Sequence, residues 1–201
     1  VMEMQIDCAV SYGVNVFIYD WYWYDNRPFL ENCLNDGFLK ARNNKDMKFC
    51  LMWANHDATH LWDKRNSDHD LSTVIWSGVV TPEIFSNICD RTIEKYFSRE
   101  NYYMIDGCPV YMIFDIDNFI RSFGTSDECR KGIDEFRRKT VEAGFDGLHF
   151  QVVHWRNRVF NWLDDSDSNK GVDSAEMYRF LGVDSVTSYN WGCSTDFDGD
   201  Y

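Results

Sequence analysis

The chain has 201 residues, of which 44% are hydrophobic and 17% aromatic, so it can form one domain (residues 1–201) with a real core. A formal net charge of −13 disfavours nucleic acid and anionic membrane surfaces as partners. No apolar run approaches the roughly 20 residues that a membrane span needs, and the seven cysteines show no metal-ligand spacing.

Apolar stripes and capping residues predict five helices. Thr81 is a predicted N-cap, and Thr125 with Glu128 forms a capping box. In chain order the helices are predicted at about 1–12, about 28–41, about 82–97, about 126–143 and about 174–181.

Five continuous apolar runs predict buried parallel strands between these helices. They lie at about 14–19, about 47–53, about 109–114, about 147–153 and about 184–189. Alternation of strands and helices predicts an α/β fold with a parallel sheet and right-handed crossovers.

Tryptophan and polar side chains follow several of these strands. Parallel strands end on one common face, where α/β enzymes place their sites. Aromatic rings can lie on the C–H face of a sugar while polar groups bind its hydroxyls, so this face is predicted to bind carbohydrate. The alternative is that the tryptophans belong to the core and the polar residues to ordinary loops. The predicted sugar-binding residues are Trp21, Tyr22, Trp23, Trp53, Asn55, His56, Trp155, Tyr189, Asn190 and Trp191.

Two of these segments carry a family resemblance. The stretch at 12–24, Tyr-Gly-Val-Asn-Val-Phe-Ile-Tyr-Asp-Trp-Tyr-Trp-Tyr, resembles part of the family ninety-nine-like glycoside hydrolase domain. That group includes endo-acting α-mannosidases and WbsX-type glycosyltransferases. The run at 49–55 resembles a second hallmark, a strand that ends in Trp-Ala-Asn, and His56 follows where many relatives have Glu. Further similarity at 103–114 and 189–191 extends the resemblance over most of the chain.

The resemblance implies a (β/α)8 TIM-barrel fold with sugar binding at the C-terminal ends of the strands. Eight strands with their helices typically need about 250 residues. Five predicted strands are therefore expected to be an incomplete portion of such a barrel, an internal slice of a longer fold.

The resemblance also implies a glycoside hydrolase that acts on mannose-type or related bonds of an oligosaccharide or polysaccharide. Such cleavage uses two carboxyl groups. The resemblance assigns this role to a close glutamate pair, which is expected outside this chain because the chain contains no Glu-x-x-Glu. The candidate catalytic residues within the chain are Asp20, Asp115, Asp117 and His154. Binding of a sugar hydroxyl is the favoured role for the three aspartates.

Two other functions stay open. Asp115-Ile116-Asp117 has the shape of the metal-binding pair of sugar-nucleotide transferases, which would suit a glycosyltransferase of O-antigen-like polysaccharide biosynthesis. A non-catalytic carbohydrate-binding protein is the third reading. The compartment would be extracellular or periplasmic for a hydrolase and cytoplasmic for a transferase.

Hydrolysis of this kind requires no cofactor, but one acidic segment suggests a structural calcium ion. Its residues follow the ligand spacing of an EF-hand loop, although Lys170 stands at the usual glycine position. The alternative is a solvated acidic loop. The candidate calcium ligands are Asp165, Asp167, Asn169, Asp173 and Glu176.

Overall fold

The computed structural model describes residues 1–60, 72–155, 159–161 and 171–189. The α-helices of these ranges are α1 (Met2–Ser11), α2 (Pro82–Thr92), α3 (Ile116–Phe123), α4 (Ser126–Glu142) and α5 (Ser174–Leu181). The strands are β1 (Val16–Tyr24), β2 (Arg27–Phe29), β3 (Lys48–Trp53), β4 (Ala58–Thr59), β5 (Val74–Trp76), β6 (Met104–Ile105), β7 (Cys108–Ile113), β8 (His149–Val153), β9 (Val159–Asn161), β10 (Gly171–Asp173) and β11 (Ser185–Thr187).

Five parallel strands form the centre of the molecule. Their order across the sheet is β11-β8-β7-β3-β1, which is also their reverse order along the chain. Each strand is thus the neighbour of the one before it, and each pair is parallel. The predicted α/β class and parallel sheet are confirmed, whereas the strands of the described residues do not close into a barrel.

The two faces of this sheet have different surroundings. Trp53 stacks on Phe85 of α2, and Tyr111 meets Phe136 of α4 edge-on. Leu51 pairs with Tyr111 and shares this side with Trp53, so these residues define the helix face. The opposite side, which we call the pocket face, begins at Ile18 of β1 and includes every second residue from there.

The sheet is strongly curved toward the pocket face. Asp20 lies on β1 and Thr187 on β11, at opposite ends of the five-strand row. Even so, both line the same pocket. The twist of adjacent strands gives a sheet its curvature, and here it brings the two outer strands together.

Side-chain caps begin four of the helices, two of them as predicted. Thr81 accepts a hydrogen bond from the Ile84 amide at 3.2 Å, and Thr125 accepts one from the Glu128 amide at 3.1 Å. The threonine half of the predicted capping box is therefore confirmed. Asp115 and Asp173 cap α3 and α5 in the same way.

The predicted helix at about 28–41 is confirmed only in part, because its first residues pair with the end of β1 as a hairpin and no regular α-helix follows. Asp25 and Asn26 have φ of 51° and 54°, which are left-handed values that short polar residues tolerate. Their turn lets β2 pair with the end of β1. Only short turns of π and 3-10 helix follow, at Cys33–Gly37 and Phe38–Lys40.

A partly buried carboxylate ties this irregular segment to the helix face. Glu31 accepts hydrogen bonds from the indole of Trp21 and the hydroxyl of Tyr96, both at 2.8 Å. Arg91 and Lys95 form ion pairs with it at 2.6 and 3.1 Å. Burial alone would raise the pKa of Glu31, but these hydrogen bonds and the charge of Arg91 lower that pKa to about 2. The carboxylate is therefore held in its charged form.

None of the described helices combines the length and hydrophobicity that crossing a bilayer requires.

Candidate functional site

A pocket of about 360 Å³ opens on the pocket face, toward the C-terminal ends of the parallel strands. The register explains its floor, because Asp20 pairs with Met52 and Met52 pairs with Met112, so all three point to one side. The lining residues are Ile18, Asp20, Met52, Met112, Val153, Thr187, Ser188 and Tyr189.

Asp20 supplies the charge in this pocket. Its side chain is exposed, and no other carboxylate lines the pocket among the described residues. Burial of the carboxyl group by the surrounding sheet raises the pKa of Asp20, and the nearby charge of His56 lowers it to a smaller extent. A carboxyl group with a raised pKa exchanges protons more readily near neutral pH.

Aromatic rings form a continuous rim above the pocket. The ring of His56 lies 6.1 Å from that of Tyr22 and 5.5 Å from that of Phe114. Phe114 in turn meets Trp155 at 4.9 Å and Tyr189 at 5.2 Å. These five residues, which we call the aromatic rim, come from the ends of different strands. Four of them were predicted to bind sugar, and the structure brings them together beside Asp20.

Trp53 does not belong to this rim, which corrects the sequence prediction. It is 0% exposed, stacks on Phe85 at 6.0 Å and meets Phe119 of α3 edge-on. A side chain without exposed surface cannot contact a glycan in this structure. Trp53 instead fills the core between the sheet and two helices.

Trp21 and Trp23 also lie on the helix face, with 2% and 7% of their surface exposed. Their rings are 5.7 Å apart, and the indole N–H of Trp21 is already donated to Glu31. Strand residues alternate between faces, so the neighbour Tyr22 points to the rim while the two tryptophans point away from it. Their predicted contact with sugar is corrected in the same way.

Asn55 is a structural clamp rather than a substrate contact. It is 0% exposed, and its side-chain amide donates to the carbonyl of Asp115 at 2.7 Å. Its side-chain oxygen accepts from the Asp115 amide at 2.8 Å. Asn118 then donates to the Asn55 carbonyl at 2.9 Å. The predicted sugar contact is corrected, because both polar groups of Asn55 are used to join β3 to the end of β7.

The two aspartates of the predicted metal pair lie at the start of α3. The Asp115 carboxylate accepts from the amides of Asp117 and Asn118, at 3.0 and 3.1 Å. This bond pattern is that of an N-cap, so its carboxylate is oriented toward the helix backbone. Neither aspartate lines the pocket.

His154 follows β8 but faces α5. Its Nδ1 lies 3.2 Å from the Tyr178 hydroxyl, and the two rings meet edge-on at 5.8 Å. The next residue, Trp155, points the other way and joins the aromatic rim. His154 is therefore separated from Asp20 by the sheet, and its catalytic role is not supported by its position.

Several predicted site residues lie outside the described residues, namely Asn190, Trp191, Asp165, Asp167 and Asn169. The two other calcium candidates are described: Asp173 caps α5 by accepting from the Glu176 amide at 2.8 Å. Among the residues the structure describes, no group of three or more His, Cys, Asp or Glu side chains is placed to hold a metal. The calcium hypothesis stays a prediction.

Part of the pocket lining was not predictable from the sequence. Met52, Met112 and Thr187 form the floor and wall of the pocket, and Phe114 forms the centre of the rim. Their shared signal is strand alternation: each occupies the pocket-face position of its strand. In runs that are apolar on both faces this signal does not show which side faces the helices.

Comparison with known proteins places the chain in a family. The sequence model of the family described as Glycosyltransferase WbsX matches residues 1–188. The chain belongs to the WbsX family. This membership agrees with the resemblance seen in its sequence.

Two curated relatives share a shorter region with this WbsX-family chain. Both are called Uncharacterized protein WxcX and come from two strains of Xanthomonas campestris pv. campestris. Each is 32% identical over 68 residues, which cover 34% of this chain and only 10% of the relative. No solved structure matches the chain.

Proposed function

We propose that the pocket binds a glycan and that the chain carries part of the active site of a glycoside hydrolase acting on mannose-type or related bonds. The observation that supports this most is the position of Asp20, a carboxyl group in a pocket beneath the aromatic rim. Rings of the rim can lie against the C–H face of sugar units, and Thr187 and Ser188 offer hydroxyl groups to the sugar.

Asp20 has one of two carboxyl roles in the proposed reaction. A raised pKa suits a group that donates a proton to the leaving oxygen or accepts one from water. Glycoside hydrolysis needs a second carboxyl group on the other side of the bond. In the proposal this second group comes from outside the described lining of the pocket.

We also propose that the sheet is a portion of a (β/α)8 barrel. Three features support this: the sequential strand order, the helices on one face, and the curvature that brings β1 and β11 to one pocket. In such barrels the site lies at the C-terminal ends of the strands.

A glycosyltransferase is the second candidate, and the family description favours it. The Asp115-Ile116-Asp117 motif, which first suggested a transferase, supports it less in the structure, because the Asp115 carboxylate caps α3. A transferase in this pocket would transfer a sugar from an activated donor to the glycan at the rim.

The experiment compares wild type with Asp20→Asn, both in the full-length protein so that the second carboxyl group is present, on α-manno-oligosaccharides. A hydrolase releases new reducing ends without any nucleotide sugar, and Asp20→Asn should lower that rate at least about a hundredfold. A transferase forms product only with a nucleotide sugar, and a lectin binds the glycan without turnover. Asp46→Asn, at an exposed aspartate that precedes the N-terminal end of β3 and does not line the pocket, is the matched control. Equal turnover by wild type and Asp20→Asn would contradict the assignment of Asp20.

A further inference from the structure

A second group of aromatic side chains continues the pocket face beyond Tyr22. Tyr22 and Tyr24 stack with their rings 6.1 Å apart and 30° between the planes. Trp76 of β5 stacks on Tyr24 at 5.9 Å and 26°, and Phe29 of β2 supports Trp76 edge-on at 5.5 Å. Tyr24 is buried at 3% exposure, whereas Trp76 keeps 38% of its surface open. The row therefore ends in an exposed tryptophan on an aromatic base.

This base is held in place by specific bonds. The Tyr24 hydroxyl donates to the carbonyl of His56 at 2.8 Å. The Asp57 carboxylate, which precedes β4, accepts a hydrogen bond at 2.8 Å from the amide of Gly78, which follows β5. Gly78 packs so closely on Asn55 that an added Cβ would lie 2.1 Å from its carbonyl oxygen. Trp76 is thus fixed next to the end of β3, and little ordering is needed when a ligand meets it.

The row runs along β1 away from the charged pocket. Asp20, Tyr22 and Tyr24 are alternate residues of one strand, so about 13 Å of strand separates the first from the last. Trp76 lies one ring contact further on. One hexose unit at Asp20 is far too short to reach Trp76, so a ligand touching both must contain several sugar units.

We propose that Trp76 forms a distal sugar subsite that selects extended glycans over short ones. This inference rests on the proposed function, since it takes the pocket at Asp20 as the place where one glycan unit sits. The occupant follows from continuity: the same series of rings leads from the aromatic rim through Tyr22 and Tyr24 to Trp76. A flat exposed indole gives a sugar unit stacking area without requiring one particular hydroxyl pattern.

The test is a binding series of manno-oligosaccharides from disaccharide to hexasaccharide, measured by calorimetry with the full chain. In the wild type, affinity should rise once the ligand is long enough to reach Trp76. Trp76→Ala should lower the affinity of the longest ligand about tenfold or more and leave that of the disaccharide unchanged. Trp76→Phe keeps an aromatic ring stacked on Tyr24, and it should retain part of the increase in affinity for long ligands.

Ile75→Ala is the matched control, because Ile75 is exposed on the same strand and points to its other side. It should leave the whole series unchanged. The proposal is overturned if wild-type affinity does not depend on length, if Trp76→Ala weakens all lengths equally, or if Trp76→Ala only abolishes self-association of the chain. Turnover separates this inference from the proposed function: Asp20→Asn with unchanged turnover refutes the hydrolase assignment, while the length dependence of binding still tests Trp76.

Discussion

At the scale of single residues, Asp20 places a carboxyl group where ionisation is disfavoured and where a bound glycan could exchange a proton with it. Its carboxyl group stands over Met52 and Met112, and burial raises its pKa above the ordinary value. A raised pKa in the folded state means that folding disfavours the ionised form. Groups with shifted pKa values in pockets are candidates for function on this ground.

Asp20→Asn should therefore slightly stabilise the fold while it lowers turnover. For an acid whose pKa is raised by folding, the folded state binds more protons, so stability falls as the pH rises through the shifted pKa. Above the shifted pKa the wild-type carboxylate is ionised in the folded state, and the free energy of unfolding is reduced by the desolvation of this charge. The asparagine variant has no such charge. Because the side chain is exposed, the gain should stay below about 1 kcal/mol. Urea unfolding of both proteins at several pH values measures it.

The pH dependence separates this effect from a simple change in packing. The stability difference between wild type and Asp20→Asn should shrink in acid, where the wild-type carboxyl is protonated in both states. Asp46→Asn provides the comparison at an exposed site. A variant that is less stable than the wild type at neutral pH would contradict the assigned cost of the Asp20 charge.

Glu31 shows the opposite behaviour, because its carboxylate is compensated. Hydrogen bonds and two cations lower its pKa to about 2 from the ordinary 4.5 of a glutamate. The stability it contributes is present above pH 4.5 and is lost as the pH falls toward 2. Glu31→Gln should cost about 3 kcal/mol at neutral pH, since it leaves the partly buried Arg91 and Lys95 without their counter-charge.

Acid titration of unfolding checks the Glu31 prediction. The wild type should lose stability between about pH 4.5 and pH 2, and Glu31→Gln should lose much less over that range. Glu3→Gln is the matched control, because Glu3 pairs with Arg42 on the surface and such pairs contribute little. Parallel acid curves for wild type and Glu31→Gln would show that the network does not govern this transition.

At the scale of elements, the strands were predictable and the faces of the strands were not. Runs such as Phe49 to Trp53 are apolar at every position, and this places them in a covered sheet. The same uniformity hides which residues face the helices. The pattern therefore predicts an accessible Trp53, whereas in the structure this residue lies on the same side of the strand as Leu51 and fills the core.

Caps show a second limit of sequence reasoning. Thr81 is recognisable by the Pro that follows it, and Thr125 by Glu128 three residues later. Asp115 begins a helix of only eight residues, so its acidic pair was interpreted as a site and α3 was missed. The spacing of Ile116, Phe119 and Ile120 carried the helical signal. A short helix shows only weak hydrophobic periodicity, and a polar residue in front of it can be interpreted either as an N-cap or as a site residue.

Substitution of Asn55 measures how strongly the connection between β3 and the end of β7 depends on this one side chain. Its side-chain amide binds both backbone groups of Asp115. The Asp115 carbonyl also accepts from the Phe119 amide at 3.1 Å, so the substitution mainly deprives the Asp115 N–H of its acceptor. Asn55→Ala should therefore destabilise the fold by roughly 2–3 kcal/mol. The glycan affinity of the folded fraction should stay close to that of the wild type, because Asn55 has no exposed surface.

Unfolding in urea and glycan binding, measured on the same preparation, separate the two roles. Asn32→Ala, at an exposed asparagine, should change stability by less than about 0.5 kcal/mol. Unchanged stability with lost glycan affinity in Asn55→Ala would restore the sequence-based prediction that this residue contacts substrate.

At the scale of the whole molecule, curvature turns separate strand ends into one site. Tyr22 of β1 and Tyr189 beyond β11 are close enough that the second contributes to the raised pKa of the first, after burial and Asp20. Sequence alone predicted that these residues share an end of the sheet. It did not predict that the outer strands meet, because curvature depends on the twist summed over all five strands.

The charge of the whole chain leads to a prediction about the ligand. The chain carries 33 acidic and 20 basic residues, and no Lys or Arg lines the pocket among the described residues. An anionic glycan would approach a negative surface and meet Asp20 without a compensating cation. Neutral oligosaccharides are therefore the expected ligands, with affinities that change less than about twofold between roughly 0.05 and 0.5 M salt.

A pair of ligands of equal length, one neutral and one containing uronic acid, tests this expectation by calorimetry. The uronate ligand should bind more weakly at low salt and gain affinity as salt screens its repulsion. Stronger uronate binding at low salt would mean that cations outside the described lining dominate the field at the pocket. Asp20→Asn adds a local control: removing that carboxylate should narrow the gap between the two ligands, because it removes the nearest charge that a uronate would meet.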